Sequence, residues 1–339
     1  MTRTVALLGA TGYTGRLTAA ELERRGIPHR VGGRSKARLA DVPSTGERHL
    51  VDLADPASLD AFLDGVDVLI TCVGPFAELG MPVVEAAVRT GTPYVDSTGE
   101  PVFMAEVYRR FRDAASAVVP ACGFDFIPGD LGVAVAVEEL GRAPEEVDVV
   151  YAISGTKPTR GTARSGVGAI TSMRPVLGRL VVTGEDGPVP AVQLPWGEEL
   201  TVPLRVPGAR VRTGVAAPGW LTRVTQAVGP ATPYTAPLTR LAKPLLERWV
   251  DRLPEGPSET DRGRATAKAY SVVRAGSDEA RVVVQVRDAY GITARLLVGA
   301  SQRLEGTGAM ASAEALSARA FLSEMAYEDE GGSLTWRVL

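Results

Sequence analysis

Three glycines near the start of the chain have the spacing of a loop that binds a pyrophosphate. They are Gly9, Gly12 and Gly15, within the stretch GATGYTG. The first can take the positive φ of a tight turn, the second leaves the backbone open to a phosphate, and the third lets a helix pack closely on a strand. A helix that begins there directs backbone N–H groups at the phosphates. The alternative is a plain turn without a ligand. The predicted cofactor contacts of this loop are Gly9, Thr11, Gly12, Tyr13, Thr14 and Gly15.

A short basic segment follows the second predicted strand, where dinucleotide-binding domains distinguish NAD from NADP. An acid at this place binds the ribose hydroxyl of NAD, whereas an arginine binds the 2′-phosphate of NADP. The segment is Arg34, Ser35 and Lys36, and it contains no acid. An arginine, a hydroxyl and a second cation suit a phosphate dianion, so we expect NADP(H) as cofactor. The alternative is a solvated basic turn.

The ends of the third, fourth and sixth predicted strands supply further contacts, because ligands bind outside the carboxyl ends of the strands in an open α/β sheet. Asp52 either accepts a hydrogen bond from the adenine amino group or caps the helix that starts near Pro56. The segment expected beside the nicotinamide consists of Cys72, Val73, Gly74, Pro75 and Phe76. The predicted substrate contacts are Cys122, Gly123 and Phe124, together with Arg160 from the second half of the chain.

Reduction by a nicotinamide often needs a proton donor beside the atom that receives the hydride. None of the eight tyrosines is followed by a lysine four residues later, so the Tyr-x-x-x-Lys relay of short-chain dehydrogenases is absent. We take Asp125, Asp96 and Tyr290 as catalytic candidates, with Tyr290 contributed by the second domain and Cys122 as a further donor. Each carboxylate could instead cap a loop, the cysteine could be a small buried residue, and water could supply the proton.

The elements that must hold these residues alternate between strand and helix in the first part of the chain. Apolar runs predict six parallel strands, at 5–8, 27–33, 49–53, 67–73, 93–100 with its loop, and 117–122. Such units make a Rossmann doubly wound parallel sheet in an α/β protein. Alternating or β-branched residues at 146–154, 266–273 and 281–287 predict a following α+β domain with a mostly antiparallel sheet. The stretch 184–237, rich in proline and glycine, is expected to be irregular, with strand-like pieces at 201–206 and 211–215.

Composition excludes several classes of function. The net charge is −3 and no basic run occurs, so we expect no nucleic-acid partner. Two cysteines and two histidines, without ligand spacing, predict that no metal is bound. No apolar stretch reaches the about 18 residues of a membrane span. The first strand follows Met1 too closely for a signal peptide, and we therefore expect a cytoplasmic protein.

Several stretches of the chain resemble the saccharopine dehydrogenase-like oxidoreductases, in the branch that includes the mycobacterial trans-acting enoyl reductases. These stretches are GATGYTG, GRS, VGPF with GMPVVE, YVDSTGE and CGFDFIPGDL. The resemblance is strong over residues 1–135 and looser beyond. It implies a nicotinamide cofactor, a Rossmann domain at 1–130, and a substrate and oligomerisation domain at 131–339 that forms a homodimer through its sheet. We expect the segment 305–339 to pack back on the Rossmann domain.

Three functions are compatible with the sequence. The leading one is NADPH-dependent reduction of an activated C=C bond in a small molecule, such as an enoyl thioester that is either free or bound to a carrier protein. The second is an imine reductase or opine-type dehydrogenase that acts on C=N. A cationic clamp of Lys157, Arg160 and Arg164 would favour C=N, whereas a wide apolar channel would favour C=C. The third is a non-catalytic NADP-binding sensor or scaffold.

Overall fold

The computed structural model describes residues 2–155, 159–160, 162–164, 178–228, 248–250, 252, 256–329 and 331–339. Contacts divide the chain into two compact units. The first contains Met1–Ile127 and Tyr290–Ser317, and the second contains Pro128–Ala289 and Ala318–Leu339. The chain therefore leaves the first unit after residue 127 and returns to it at residue 290. This differs from the expected bounds, because 290–317 joins the first unit and 318–339 joins the second.

The described residues form the following strands and helices. In chain order the strands are β1 (Val5–Leu8), β2 (His29–Gly33), β3 (Glu47–Leu50), β4 (Val68–Thr71), β5 (Tyr94–Asp96), β6 (Ala117–Val119), β7 (Glu146–Ser154), β8 (Gly178–Gly184), β9 (Gly187–Gln193), β10 (Arg210–Ala216), β11 (Thr266–Ala275), β12 (Asp278–Arg287), β13 (Gly308–Ala309), β14 (Tyr327–Glu328) and β15 (Ser333–Val338). The helices are α1 (Tyr13–Arg24), α2 (Lys36–Ala40), α3 (Pro56–Leu63), α4 (Phe76–Leu79), α5 (Met81–Thr90), α6 (Pro101–Phe111), α7 (Ile127–Leu140), α8 (Glu198–Arg205), α9 (Gly219–Val228), α10 (Glu259–Arg264), α11 (Ala289–Arg303), α12 (Ser312–Ala315) and α13 (Ala318–Met325).

The first unit is built on a parallel sheet with the strand order β13-β6-β5-β4-β1-β2-β3. Every residue of β1 and β4 is buried, as apolar runs require at the centre of such a sheet. The strand order reverses beside β1, which lies between β2 and β4, and this is where doubly wound sheets bind their ligands. The predicted Rossmann sheet is confirmed. Its edge strand β13 comes from the segment that returns to this unit.

The second unit contains a sheet with the order β14-β15-β12-β11-β7-β10-β9-β8. All neighbours in it are antiparallel except β7 and β10, which are parallel. The predicted, mostly antiparallel sheet is therefore confirmed. Within the described residues, the structure contains no helix long and apolar enough to cross a membrane.

Two expectations for the second half were wrong. Residues 201–206 are not a strand, because most of them belong to α8, in which Glu198, Thr201 and Val202 share a buried face at helical spacing. The described part of 184–237 is not irregular, because it contains β9, two helices and β10. The prolines that suggested irregularity, Pro188 and Pro190, pair only with β8, while β10 pairs with β9 from Ala191 onward.

Candidate functional site

Two of the three N-terminal glycines are required by the chain's own packing. Gly9 has φ +80°, and a Cβ there would lie 2.9 Å from the carbonyl carbon of Cys72, in the loop after β4. A Cβ at Gly15 would overlap the carbonyl oxygen of Gly9, so helix α1 can approach β1 this closely only with glycine at that position. The loops after β1 and β4 therefore meet at the carboxyl edge of the sheet.

Gly12 has no such internal reason to be glycine. Its backbone is extended, with φ −79° and ψ 171°, and it is the N-cap of α1. Among the described residues, a Cβ at this position would meet only the carbonyl oxygen of Gly9, at an ordinary 3.4 Å. The open side of Gly12 thus fits close approach by a pyrophosphate to the helix N-terminus.

The predicted phosphate-binding segment lies beside this loop. A Cβ on Gly33, the last residue of β2, would lie 3.3 Å from the methyl carbon of Thr11. Ser35 is the N-cap of α2, and its hydroxyl accepts a hydrogen bond from the backbone of Arg38 at 3.4 Å. Arg34 is exposed and makes no hydrogen bond or ion pair with the part of the chain that the structure describes. Its guanidinium is therefore available to an incoming phosphate.

Sequence reasoning overlooked a further cation in this region. The Nη2 group of Arg38 donates to the carbonyl oxygen of Thr11 at 3.0 Å, and Arg16 reaches the same oxygen at 3.5 Å. Arg16 of α1 and Arg38 of α2 thus bind the same carbonyl oxygen of the glycine loop. The signal available in the sequence was a further arginine, Arg38, four positions after Arg34.

The helix cap proposed for Asp52 belongs to another residue. The N-cap of α3 is Asp55, whose carboxylate accepts from the backbone of Ala57 at 3.0 Å. Asp52 is exposed, and its carboxylate accepts from the backbone of Ala54 at 2.9 Å. Its contact with adenine stays a prediction.

The segment predicted beside the nicotinamide is held by a carboxylate to which the sequence analysis assigned no role. Glu100 is buried, and its two oxygens accept from the backbone N–H groups of Phe76 and Ala77, each at 2.9 Å. The acid caps α4 and fixes the turn at Gly74–Pro75, whose peptide bond is cis.

Burial raises the pKa of the Cys72 thiol to about 12, so this thiol is neutral at physiological pH.

Asp96 links the end of β5 to the loop after β6. Its Oδ2 accepts from the hydroxyl of Tyr94 at 2.6 Å, and its Oδ1 accepts from the backbone of Thr98 and of Ala121, both at 2.8 Å. Ala121 has φ +62°, a conformation that this hydrogen bond helps to hold. Burial raises the pKa of Asp96 to about 6. These three bonds support the structural alternative for Asp96, and its catalytic role stays a prediction.

Asp125 lies in the loop Cys122–Phe126, called here the 122–126 loop. Burial raises the pKa of its carboxyl group to about 6, so about one tenth of the groups carry a proton at pH 7. A Cβ on Gly99 would lie 3.3 Å from Oδ2 of Asp125, so the loop after β5 packs against this carboxyl group. A carboxyl group of this kind at the ligand edge suits proton transfer.

The other predicted site residues are divided between the two units. Tyr290 is not contributed by the second unit, because the chain re-enters the first unit there, and its ring packs edge-to-face on Tyr13 with the centroids 5.3 Å apart. Cys122 is buried, and its Sγ donates to the carbonyl oxygen of Val119 at 3.4 Å. Arg160 belongs to the second unit, and Lys157 of the proposed cationic clamp lies outside the described residues. Within the described residues, no group of His, Cys, Asp and Glu side chains could hold a metal ion.

This geometry is that of a Rossmann domain that binds a dinucleotide, and comparison with known proteins supports NADP as the dinucleotide. Residues 5–122 match the model of the family described as saccharopine dehydrogenase NADP binding domain. The expected resemblance and the expected cofactor, NADP(H), are thereby confirmed.

The chain is similar to the trans-acting enoyl reductases of Mycobacterium tuberculosis and Mycobacterium ulcerans, with 37% identity to each over 142 residues. The match covers 38% of this chain and 34% of each relative, so about a third of their length is matched. The fold is similar to that of the apo saccharopine dehydrogenase (L-Glu forming) of Saccharomyces cerevisiae, with a TM-score of 0.65 and 13% identity over 99% of this chain and 100% of that one. At that identity the likeness shows the fold alone.

Proposed function

We propose that this protein is an NADPH-dependent reductase that transfers hydride to an activated C=C bond of an enoyl thioester or a related unsaturated carbonyl compound. The observation that carries the NADPH assignment is the exposed Arg34, which has no acceptor among the described residues and follows β2 beside the open glycine loop. The choice of C=C is supported by the name of the mycobacterial relatives.

The residues of the first unit have distinct tasks in this proposal. Gly12 and the N-terminus of α1 bind the pyrophosphate, and the segment at Arg34 binds the 2′-phosphate. Bound NADPH supplies a hydride from its nicotinamide ring to the β-carbon of the acceptor. Asp125 gives its proton to the α-carbon and is reprotonated from solvent, so the acceptor gains one hydride and one proton.

Reduction of C=N is the second candidate. Arg160 and Arg164 belong to the second unit and lie four positions apart in the sequence, and such a pair of cations could bind a substrate carboxylate. An opine-type or imine substrate carries such a group, whereas an enoyl thioester does not need one.

Calorimetric titration with NADPH and NADH tests the cofactor assignment. Arg34→Ala should weaken NADPH binding about tenfold to a hundredfold, because it removes charge-assisted hydrogen bonds to the phosphate. NADH binding should change less than about twofold. Arg109→Ala is the matched control, since Arg109 is an exposed arginine on α6 paired with Glu106. Equal losses for both cofactors would reject the assignment of Arg34.

Loss of NADPH absorbance with a panel of acceptors tests the reaction. Turnover of enoyl thioesters, offered as coenzyme A and as carrier-protein conjugates, is the expected result. Turnover of cyclic imines alone would favour the second candidate, and tight NADPH binding without turnover of either class would favour a non-catalytic sensor. Light scattering of the same preparation tests the homodimer that we propose from the family resemblance.

A further inference from the structure

Helix α11 contacts two loops of the candidate site within a single turn. Tyr290 packs its ring on Tyr13 at the start of α1, with an angle of 82° between the ring planes. Three residues further, the hydroxyl of Thr293 accepts a hydrogen bond from the backbone N–H of Phe124 at 3.1 Å. Residues i and i+3 of a helix lie on the same face, so one face of α11 reaches both loops.

Besides its hydrogen bond to Phe124, Thr293 packs closely against Gly123. A Cβ on Gly123 would lie 3.2 Å from Cγ2 of Thr293, so glycine at 123 lets the loop approach the helix. Phe124 is 6% exposed, so its N–H group would be costly to leave without an acceptor. The hydroxyl and the methyl group of Thr293 therefore contact two successive residues of the 122–126 loop.

The next residue of that loop is Asp125. Its carboxyl group packs against Gly99 on the side of the loop after β5, and its backbone directly follows the peptide that Thr293 holds. The direction of the Asp125 side chain consequently depends on the conformation of the turn at Gly123 and Phe124. Thr293 is 169 positions from Phe124 in the sequence.

We propose that Thr293 is a positioning residue, whose hydroxyl fixes the 122–126 loop so that the carboxyl group of Asp125 is held at the ligand edge. The catalytic consequence rests on the proposed function of Asp125. The structural part does not, because it concerns only the hydrogen bond to Phe124. Tyr290 anchors the same turn of α11 to the glycine loop. A single helix therefore contacts both the glycine loop and the 122–126 loop.

The matched variants Thr293→Val and Thr293→Ser separate the hydroxyl from the rest of the side chain. Valine keeps the shape and removes the acceptor, whereas serine keeps the acceptor and loses the methyl group. Hydrogen exchange at the Phe124 amide should become at least about tenfold faster in Thr293→Val, because the hydrogen bond is lost. In Thr293→Ser it should stay within about threefold of the wild-type rate.

The kinetic readout is a fall in kcat without loss of cofactor affinity. With the acceptor that the wild type turns over, Thr293→Val should lower kcat roughly tenfold to a hundredfold, because small displacements of a catalytic group are costly. The Kd for NADPH should change less than about twofold, and Thr293→Ser should restore most of kcat. The alkaline limb of the kcat pH profile, along which Asp125 loses the proton that it must donate, should shift in Thr293→Val and not in Thr293→Ser.

Failure of this proposal and failure of the proposed function give different results. Unchanged exchange at Phe124 in a folded Thr293→Val variant would overturn the positioning role, whatever the acceptor. Faster exchange with wild-type kcat would show that Thr293 fixes the loop without serving proton transfer, and this would overturn the catalytic part. If the wild type reduces no acceptor, the reductase assignment fails, while the exchange rates of the two variants still decide the role of Thr293.

Discussion

At the scale of single residues, the three glycines of the N-terminal loop serve different purposes although they look equivalent in the sequence. Gly9 needs its positive φ, and Gly15 needs to lack a side chain because the carbonyl of Gly9 lies against it. Gly12 has an ordinary backbone conformation and free space. Internal packing therefore explains two of them, and for the third we propose close approach by the pyrophosphate of the cofactor.

The same substitution at two of these glycines should consequently affect different properties, cofactor binding at Gly12 and folding stability at Gly15. Gly12→Ala should leave the free energy of unfolding within about 1 kcal/mol of the wild type and weaken NADPH binding at least about tenfold. Gly15→Ala should lower the free energy of unfolding by about 1–3 kcal/mol, because the added methyl group overpacks the contact between α1 and β1. Urea unfolding and calorimetric titration measure both quantities. Unchanged NADPH affinity in Gly12→Ala would contradict the pyrophosphate assignment.

Residue types and short spacings revealed the glycine loop and the basic segment, because both are local in the chain. The roles of Glu100 and Thr293 were not predictable in this way. Glu100 caps residues 23 and 24 positions earlier, and Thr293 binds a residue 169 positions earlier, so neither role leaves a periodic signal. Tyr290 was predicted as a site residue but placed in the other domain, since the sequence does not show where the chain returns.

At the scale of elements, the buried carboxyl group of Asp96 joins β5 to the start of the 122–126 loop. In the folded protein burial raises its pKa from 3.8 to about 6. The folded state then binds this proton more tightly than the unfolded chain does. The stability that Asp96 contributes is therefore present at low pH and is lost as the pH rises from about 4 through about 6.

Asp96→Asn should remove this part of the pH dependence. The asparagine oxygen can still accept from the backbone of Thr98 and Ala121, and the side chain carries no charge to desolvate. Between pH 4 and pH 7, the free energy of unfolding of the variant should improve relative to the wild type by up to about 3 kcal/mol. Urea unfolding at several pH values measures this difference in the free energy of unfolding, with the exposed Asp113→Asn as a control. A constant difference between Asp96→Asn and wild type across that range would argue against the raised pKa.

Strand and helix patterns were informative where one face of an element is buried. They predicted β7, β11 and β12, in which buried residues recur along long strands. They failed at α8, where β-branched residues such as Thr201 and Val202 suggested a strand. Tertiary packing of the face with Thr201 and Val202 outweighed that local preference, as propensity alone cannot show.

At the scale of the whole molecule, the first unit is assembled from two separate stretches of the chain. The family model ends at residue 122, but the sheet of this unit is completed by β13, and α11 supplies buried Ile292, Leu296, Leu297 and Val298. Arg3, before β1, donates to the carbonyl oxygens of Ser301 at 3.1 Å and Leu304 at 2.9 Å. The segment 290–317 is therefore part of the same compact unit.

A truncated gene that encodes only residues 1–127 should consequently not yield a folded NADP-binding protein. Burial of a Val, Leu or Ile side chain contributes about 1.5–3 kcal/mol, so the four apolar residues of α11 account for about as much as the net stability of a domain. Joining 1–127 to 290–317 through a flexible glycine and serine linker should restore a soluble fragment that binds NADPH, whereas joining 1–127 to 318–339 should not. Circular dichroism and NADPH titration of the three polypeptides compare them directly. The first unit is thus a discontinuous domain, and gene fragments that encode it must include both stretches. Two separate polypeptides, 1–127 and 290–317, should therefore reassemble around the cofactor.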